Sequence, residues 1–382
     1  MPLLLFHSVR VVTPIGLADW LLVDGKQISH VGIGTPPNLP DARVIYGAGG
    51  WLLPGFIDLH VHGSDGVDTM DATPEALHTM ARFFAQHGVT GFLATTVTAP
   101  REAIRRALAN AAACLGTTAG GASLLGVHLE GPYINLKAKG AQAGEFVRLA
   151  DTQEWAEWRE YGVIRQITAA PEFPENLALL DSFAASGGIS SIGHTQATYD
   201  EAIRAIQGGA RQVTHCFNAM TGIHHRNPGV AGAALTQDSV KAEIIADFLH
   251  LHPAILDLIV RAKGTSGVIA ITDAIEAAGQ PEGEYDLGGL PVLVRDGKAT
   301  LADGTLAGSV LTMDQAFRNL AQATNLLPDQ LVPIFSTNAA KQLGLADRKG
   351  VLAAGFDADL VLMSDALHVK MTLVGGQVAY QA

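Results

Sequence analysis

Cysteine is nearly absent from this 382-residue chain. There are only two, Cys114 and Cys216. Two thiols cannot make a disulfide framework, so the fold must rest on its core, and a reducing compartment suits it. Basic residues are also scarce, 25 Lys and Arg against 37 Asp and Glu, a formal net charge of −12. That balance argues against a nucleic-acid or anionic-membrane surface. An acidic chain can still hold an anion, but only in a local cationic pocket. Long apolar runs are missing too. The opening "MPLLLFHSVRVV" is too short to span a bilayer, and it lacks the basic start and small-residue cleavage site of a signal peptide. No low-complexity tract occurs. These absences read as a soluble cytoplasmic protein that needs neither membrane nor nucleic acid as a partner.

What is present is a rhythm. Short runs rich in Val, Ile and Leu alternate with polar turns and stretches of helical period. The runs are "GFIDLHVH" (55–62), "GFLATTVT" (91–98), "SLLGVHLE" (123–130), "IRQITAAPE" (164–172), "ISSIGHT" (189–195), "RQVTHCFN" (211–218), "KAEIIAD" (241–247) and "GVIAITDA" (267–274). Helix-like segments such as "TPEALHTMARFFAQHG" and "HPAILDLIVRAKG" lie between them. Pro74 and Pro253 suit first helical positions, and Gly88, Gly208 and Gly264 suit C-terminal caps. Asp200 reads as a helix N-cap. Eight βα units predict an α/β fold, a parallel (β/α)8 barrel of the triosephosphate-isomerase type. The competing open sheet would carry a GxGxxG fingerprint after its first strand, and none is there.

The two ends read as β segments that cannot bury both faces alone. Residues 1–54 and 345–382 are expected to pair into one small β-sandwich domain, leaving 55–344 as the barrel. A β-hairpin near 284–302, turning at Asp296-Gly297, reads as an insertion into it.

The polar residues fall at the predicted strand ends: His60 and His62, Glu130, His194, His215, Asp247 with His250, and Asp273. Side chains of a strand alternate, so His60 and His62 share one face. The C-terminal rim is where a barrel of this type keeps its active site. Imidazole and carboxylate gathered there predict a divalent-metal centre. Taken singly, each of these residues is more often a core or capping group, and His7, His30, His128 and His368 read that way. The joint placement on one rim is what points to a metal.

The motifs then become specific. "GFIDLHVHG" resembles the His-x-His signature of the amidohydrolase superfamily. "HLEGPYIN" (128–135), "GHTQAT" (193–198), "THCFNAM" (214–220), "HHRNPG" (224–229) and "LAGSVLTM" (306–313) narrow the resemblance to the N-acetylglucosamine-6-phosphate deacetylases, over nearly the whole chain. The resemblance implies a metal-dependent barrel that hydrolyses the acetamide of a phosphorylated amino sugar. It implies Glu130, His194 and His215 as ligands of one ion, Zn²⁺ or Fe²⁺, with room for a second at His60 and His62. Asp273, in "ITDA", takes the role of general base and acid. Substrate contacts fall on Ala141, Gln142, Asn218, Ala219, Arg226, His250, Leu306, Ala307 and Gly308. Arg226 and His250 correspond to the phosphate-binding pair, and Arg226 to a residue near a homodimer interface. Two positions depart from the pattern. Gln142 replaces a histidine that polarises the acetyl carbonyl in many members. Phe248 and Leu249, in "DFLH", predict a more apolar sugar wall. Lys137 and Lys139 read as a solvated loop.

Three rivals follow from the same residues. The N-acetylgalactosamine 6-phosphate epimer would use the same chemistry. A dihydroorotase-like cyclic-amide hydrolase would need a carboxylated lysine where Glu130 stands. A non-catalytic amino-sugar phosphate sensor would have no use for Asp273.

Overall fold

The computed structural model describes residues 3–382. Eight parallel strands form its barrel: Phe56–Val61, Val89–Thr96, Ser123–Glu130, Ile164–Ala169, Ile189–Ile192, Gln212–Val213, Lys241–Ile245 and Val268–Ile271. Each pairs with the next in chain order. The first and eighth meet at the rim, where the Asp273 N–H donates to the His60 carbonyl and the His62 N–H to that of Ala274, both at 2.9 Å. Asp58 fastens the same seam, accepting from the Thr272 hydroxyl at 2.6 Å and from the His60 N–H at 3.2 Å. Strands such as Phe56–Val61 and Val89–Thr96 are buried on both faces, which explains their near-continuous apolar reading.

The helices ring the barrel with one apolar face inward. In Pro74–Gln86 that face is Leu77, Met80, Ala81 and Phe84, and the Thr73 side chain caps the helix on the Ala76 N–H at 3.2 Å. Two local expectations shift. The cap of Tyr199–Gln207 is Thr198, in a reciprocal box with Glu201, so Asp200 lies inside the first turn. At its other end Gly208 stays right-handed and Gly209 takes the positive φ, +113°. The run 211–218 keeps only two residues of strand, because the chain turns sharply at His215, Phe217 and Ala219, all at positive φ.

Both ends of the chain build one further sheet. Trp51–Pro54 lies at its centre, antiparallel to Leu360–Met363 and parallel to Leu4–Thr13. It then runs through Gly55 straight into the first barrel strand. This sheet packs a core of its own around Phe6, Leu21, Ile28, Leu52, Leu360 and Leu373. The segment read as a hairpin forms a three-stranded sheet, Gly283–Leu287, Leu290–Arg295 and Lys298–Thr300, with Asp296-Gly297 at positive φ in the second turn. No helix among the described residues is long and apolar enough to cross a membrane.

Lys349 ties the last barrel helices to the terminal sheet. Its ammonium is buried between Asp357, at 2.9 Å, and Asp359, whose other oxygen accepts the Gly375 N–H at 2.6 Å. Removing one partner of a buried pair leaves uncompensated charge. Lys349→Ala is therefore expected to lower stability by about 3–5 kcal/mol in a denaturant titration. A loss below about 1 kcal/mol, the size of a surface pair, would show that water screens this contact.

Candidate metal centre and active site

Five strand ends bring six side chains to one spot. The Glu130 carboxylate lies at its centre. Its Oε1 is 3.2 Å from Nε2 of both His194 and His215 and 3.3 Å from that of His60. Its Oε2 is 3.3 Å from His62 Nε2. Asp273 Oδ1 faces His62 at 3.1 Å and His60 at 3.3 Å. The donors form two sets, Glu130 with His194 and His215, and His60 with His62 and Asp273. All six are buried. His194, His215 and Asp273 are held at positive φ (47°, 29° and 52°), backbone strain of the kind that gathers where function sets the geometry.

The outer ring nitrogens fix the tautomers. His194 Nδ1 lies 2.9 Å from the Ala138 carbonyl, His215 Nδ1 3.2 Å from that of Asn218, and His62 Nδ1 3.3 Å from that of Thr95. His60 Nδ1 lies 3.3 Å from the Glu243 carboxylate. Each Nδ1 thus donates outward, and four Nε2 lone pairs point at one another. His194 and His215 approach to 3.0 Å and His60 and His62 to 3.4 Å. Lone pairs that close, with two carboxylates among them, require positive charge in their midst. Imidazole nitrogen and carboxylate oxygen with anchored outer nitrogens are a fitting set for a divalent metal. The titration behaviour carries the same demand. Burial pulls the His62 ring down, but Asp273 and Glu130 outweigh it and lift it to about 9. Burial pushes Asp273 up, but His60 and His62 outweigh it and hold it at about 2.

Above the donors opens a cavity of about 380 Å³. Of the residues read as substrate contacts, Ala141, Gln142, Asn218, Ala219, His250, Leu306 and Gly308 line it. Ala307 does not. It is fully buried, bonded through its N–H to the Ala299 carbonyl in the inserted sheet. Arg226 is exposed and outside the cavity wall, its Nη1 2.8 Å from His225 Nε2. Phe248 and Leu249 do not wall the cavity either. They line a separate depression beside Asn319 and Gln315. Lys137, read as a solvated loop residue, is exposed and also borders the cavity, as do Gln196, Met220, Leu287 and Thr305. Leu287 comes from the inserted sheet, which sequence reading did not connect with the site.

Gln142 is oriented by its neighbours. Its Oε1 accepts from the Thr98 N–H at 2.6 Å, which turns its Nε2 onto Glu130 Oε2 at 2.8 Å. Gly308 is a close approach. A Cβ there would lie 2.8 Å from the Asp273 carbonyl and 2.6 Å from Ile275 Cγ2, so only glycine lets that loop run beside the acid. His250 is carried at the cavity edge by Asp247, whose Oδ2 is 2.7 Å from its Nδ1. Burial pulls the His250 ring down, but the bond to Asp247 and its charge outweigh it, so the ring is raised above its ordinary value. A ring biased toward its charged form suits an anionic ligand.

The site can now be set beside known proteins. The model of the amidohydrolase family matches residues 51–379. An N-acetylglucosamine-6-phosphate deacetylase from Lysinibacillus sphaericus is 44% identical over 99% of this chain and 98% of its own length. An N-acetylgalactosamine-6-phosphate deacetylase from Escherichia coli O157:H7 is 37% identical over 86% of this chain and 87% of its own. The solved structure of a mutant N-acetyl-D-glucosamine-6-phosphate deacetylase from Mycobacterium smegmatis, in complex with N-acetyl-D-glucosamine-6-phosphate, superposes with a TM-score of 0.91. It is 33% identical and covers 99% of each chain. A strained rim of histidines around a shared glutamate, on a barrel matched end to end by such proteins, places this chain in the amidohydrolase family, among its N-acetylglucosamine-6-phosphate deacetylases.

Proposed function

We propose that the chain hydrolyses N-acetyl-D-glucosamine 6-phosphate to D-glucosamine 6-phosphate and acetate. The observation that carries this reading is the position of Asp273. One carboxylate, held ionised beside His60 and His62, lines the cavity that Glu130, His194 and His215 also line, and whose edge carries His250. A divalent ion, Zn²⁺ or Fe²⁺ by the mixture of imidazole and carboxylate, would be held by Glu130, His194 and His215, with His60 and His62 open to a second. When bound, it supplies Lewis acidity to the acetyl carbonyl and to the attacking water.

The chain's own residues do the rest. Asp273 Oδ1 takes a proton from the water as its oxygen bonds to the acetyl carbon. Gln142 keeps one N–H beyond its Glu130 contact, and that N–H is offered to the carbonyl oxygen as charge gathers there. Asp273 then returns the proton to the amide nitrogen while the C–N bond breaks, which an amide requires because a free amide anion leaves poorly. The sugar lies against Asn218, Ala219 and the Leu306–Gly308 loop. His250 meets the phosphate. Arg226 is exposed and does not line the cavity of its own chain, which suits a guanidinium delivered to the phosphate of a second copy in a homodimer. Two unpaired cysteines suit a cytoplasmic site of action.

Acetate release by the metal-reconstituted protein tests the reading. N-acetylglucosamine 6-phosphate, its galactosamine epimer and both unphosphorylated sugars serve as substrates. Fast release is expected from the glucosamine phosphate, with slower release from its epimer and little from the free sugars. Preference for the epimer would transfer the assignment to it. No release with metal bound would overturn the substrate. Arg226→Ala should raise KM for the phosphorylated sugar at least tenfold, about 1.4 kcal/mol, with kcat little changed. An unchanged KM removes Arg226 from the phosphate.

A further inference from the structure

The lumen beneath the metal centre is unusually polar. Barrel interiors of this type are filled mainly with branched apolar side chains. Here the layer under His60 holds Gln166, Gln212 and Glu243, all fully buried. Glu243 comes from the seventh strand, "KAEII", and has no Lys or Arg partner among the described residues. Every neighbour instead donates to it. Gln166 Nε2 reaches Oε1 at 2.7 Å and Gln212 Nε2 bonds the same oxygen. The His215 N–H reaches Oε2 at 3.2 Å, and His60 Nδ1 lies 3.3 Å from that oxygen. The two amides are themselves fixed, Gln212 Nε2 to Gln166 Oε1 at 2.9 Å and Gln342 Nε2 to Gln212 Oε1 at 3.1 Å. A buried carboxylate is an expensive choice for packing alone.

We infer that Glu243 is a positioning residue for the metal centre: it keeps the proton of His60 on Nδ1 and so turns the Nε2 lone pair toward Asp273, Glu130 and His62. The other three histidines of the site are anchored by backbone carbonyls, which no substitution removes. His60 alone depends on a side chain, and through the His215 N–H the same carboxylate also touches the second donor set. His128 does not share the work. Its ring meets His60 edge-on, with centroids 4.5 Å apart, while its Nε2 bonds Thr168 at 2.7 Å. The inference rests on His60 and His62 being metal ligands.

The test is metal binding, not turnover. Apoprotein is titrated with Co²⁺ against a competing chelator for the wild type, Glu243→Gln, His60→Ala and the double variant. In Glu243→Gln the negative charge is gone and one of the two oxygens becomes an NH₂ that meets a donor, so the His60 Nδ1–H loses its charged acceptor. Affinity for one ion is expected to fall ten- to a hundredfold, the usual effect of losing an outer partner of a metal-bound histidine. In the His60→Ala background the same change should add less than about twofold, because its route is gone. An unchanged affinity in Glu243→Gln overturns the inference. So does an equal loss with and without His60, which would mark a general packing role. If Glu243→Gln does not fold, Glu243→Asp keeps the charge but draws it back from His60, and the same outcomes apply. A wild type that takes up no divalent ion overturns the metal reading and this one with it. Binding without deacetylation would remove only the substrate.

Discussion

Asp273→Asn should leave the protein folded and its metal content unchanged, and should cut kcat by about a thousandfold or more. The amide keeps the shape of the carboxylate but cannot accept a proton from water or return one to nitrogen. Its place explains the size of the effect. Oδ1 is within 3.3 Å of both His60 and His62, and those rings keep the acid ionised, so it is a base before substrate arrives. Because the interaction is used in the transition state, kcat and kcat/KM should fall together. Steady-state kinetics on the metal-loaded variant decides the matter. Turnover within tenfold of wild type would take the proton transfer away from Asp273.

Glu130→Ala is expected to empty the ion site formed with His194 and His215. Glu130 Oε1 is the one oxygen facing both rings, and Oε2 reaches toward His62. Without it the His194 and His215 rings, 3.0 Å apart at Nε2, confront each other with no anion between them. Metal retained after gel filtration, measured by elemental analysis, should fall from about one ion per chain or more to below about 0.1. Affinity should drop more than the ten- to hundredfold typical of outer-sphere changes. Circular dichroism should remain close to wild type, since the removed side chain is held by other side chains and not by the backbone. Full metal occupancy in this variant would mean that Glu130 is not a ligand.

Much of the site was legible in the sequence because its residues sit at the ends of strands. The position of a residue relative to a strand end is a local property. His60, Glu130, His194, His215 and Asp273 follow from eight apolar runs and the polar residues that close them. The side chains that support them lie elsewhere. Glu243 sits mid-strand among Ile and Ala, and only the stagger of the closed barrel turns it under His60. Gln142 appeared as a lone replacement. Its bonds to Thr98 and Glu130 cross between loops and have no spacing to betray them. Lys137 and Leu287 reach the cavity through loop and insertion geometry, which is set by packing rather than by periodicity. Phe248 and Leu249 went the other way. A left-handed turn at Phe248, with φ of 66°, directs the pair into a neighbouring depression. Thr198 and Gly209 show that helix punctuation is readable to within a residue or two and no better.

The terminal sheet has a consequence for how the protein is made. Trp51–Pro54, the strand that leads directly into His60 and His62, finds its antiparallel partner only in Leu360–Met363. Synthesis runs from the N-terminus at about 5–20 residues per second, so these two strands leave the ribosome on the order of tens of seconds apart. During that interval Leu52 and Leu53, fully buried in the finished protein, have no C-terminal strand to cover them. The nascent chain must therefore wait with an open edge, and that edge is the natural point of call for a chaperone. The metal centre inherits the delay. Two of the three donors of one set, His60 and His62, follow directly on the strand that is completed last, so ion uptake belongs after release of the chain.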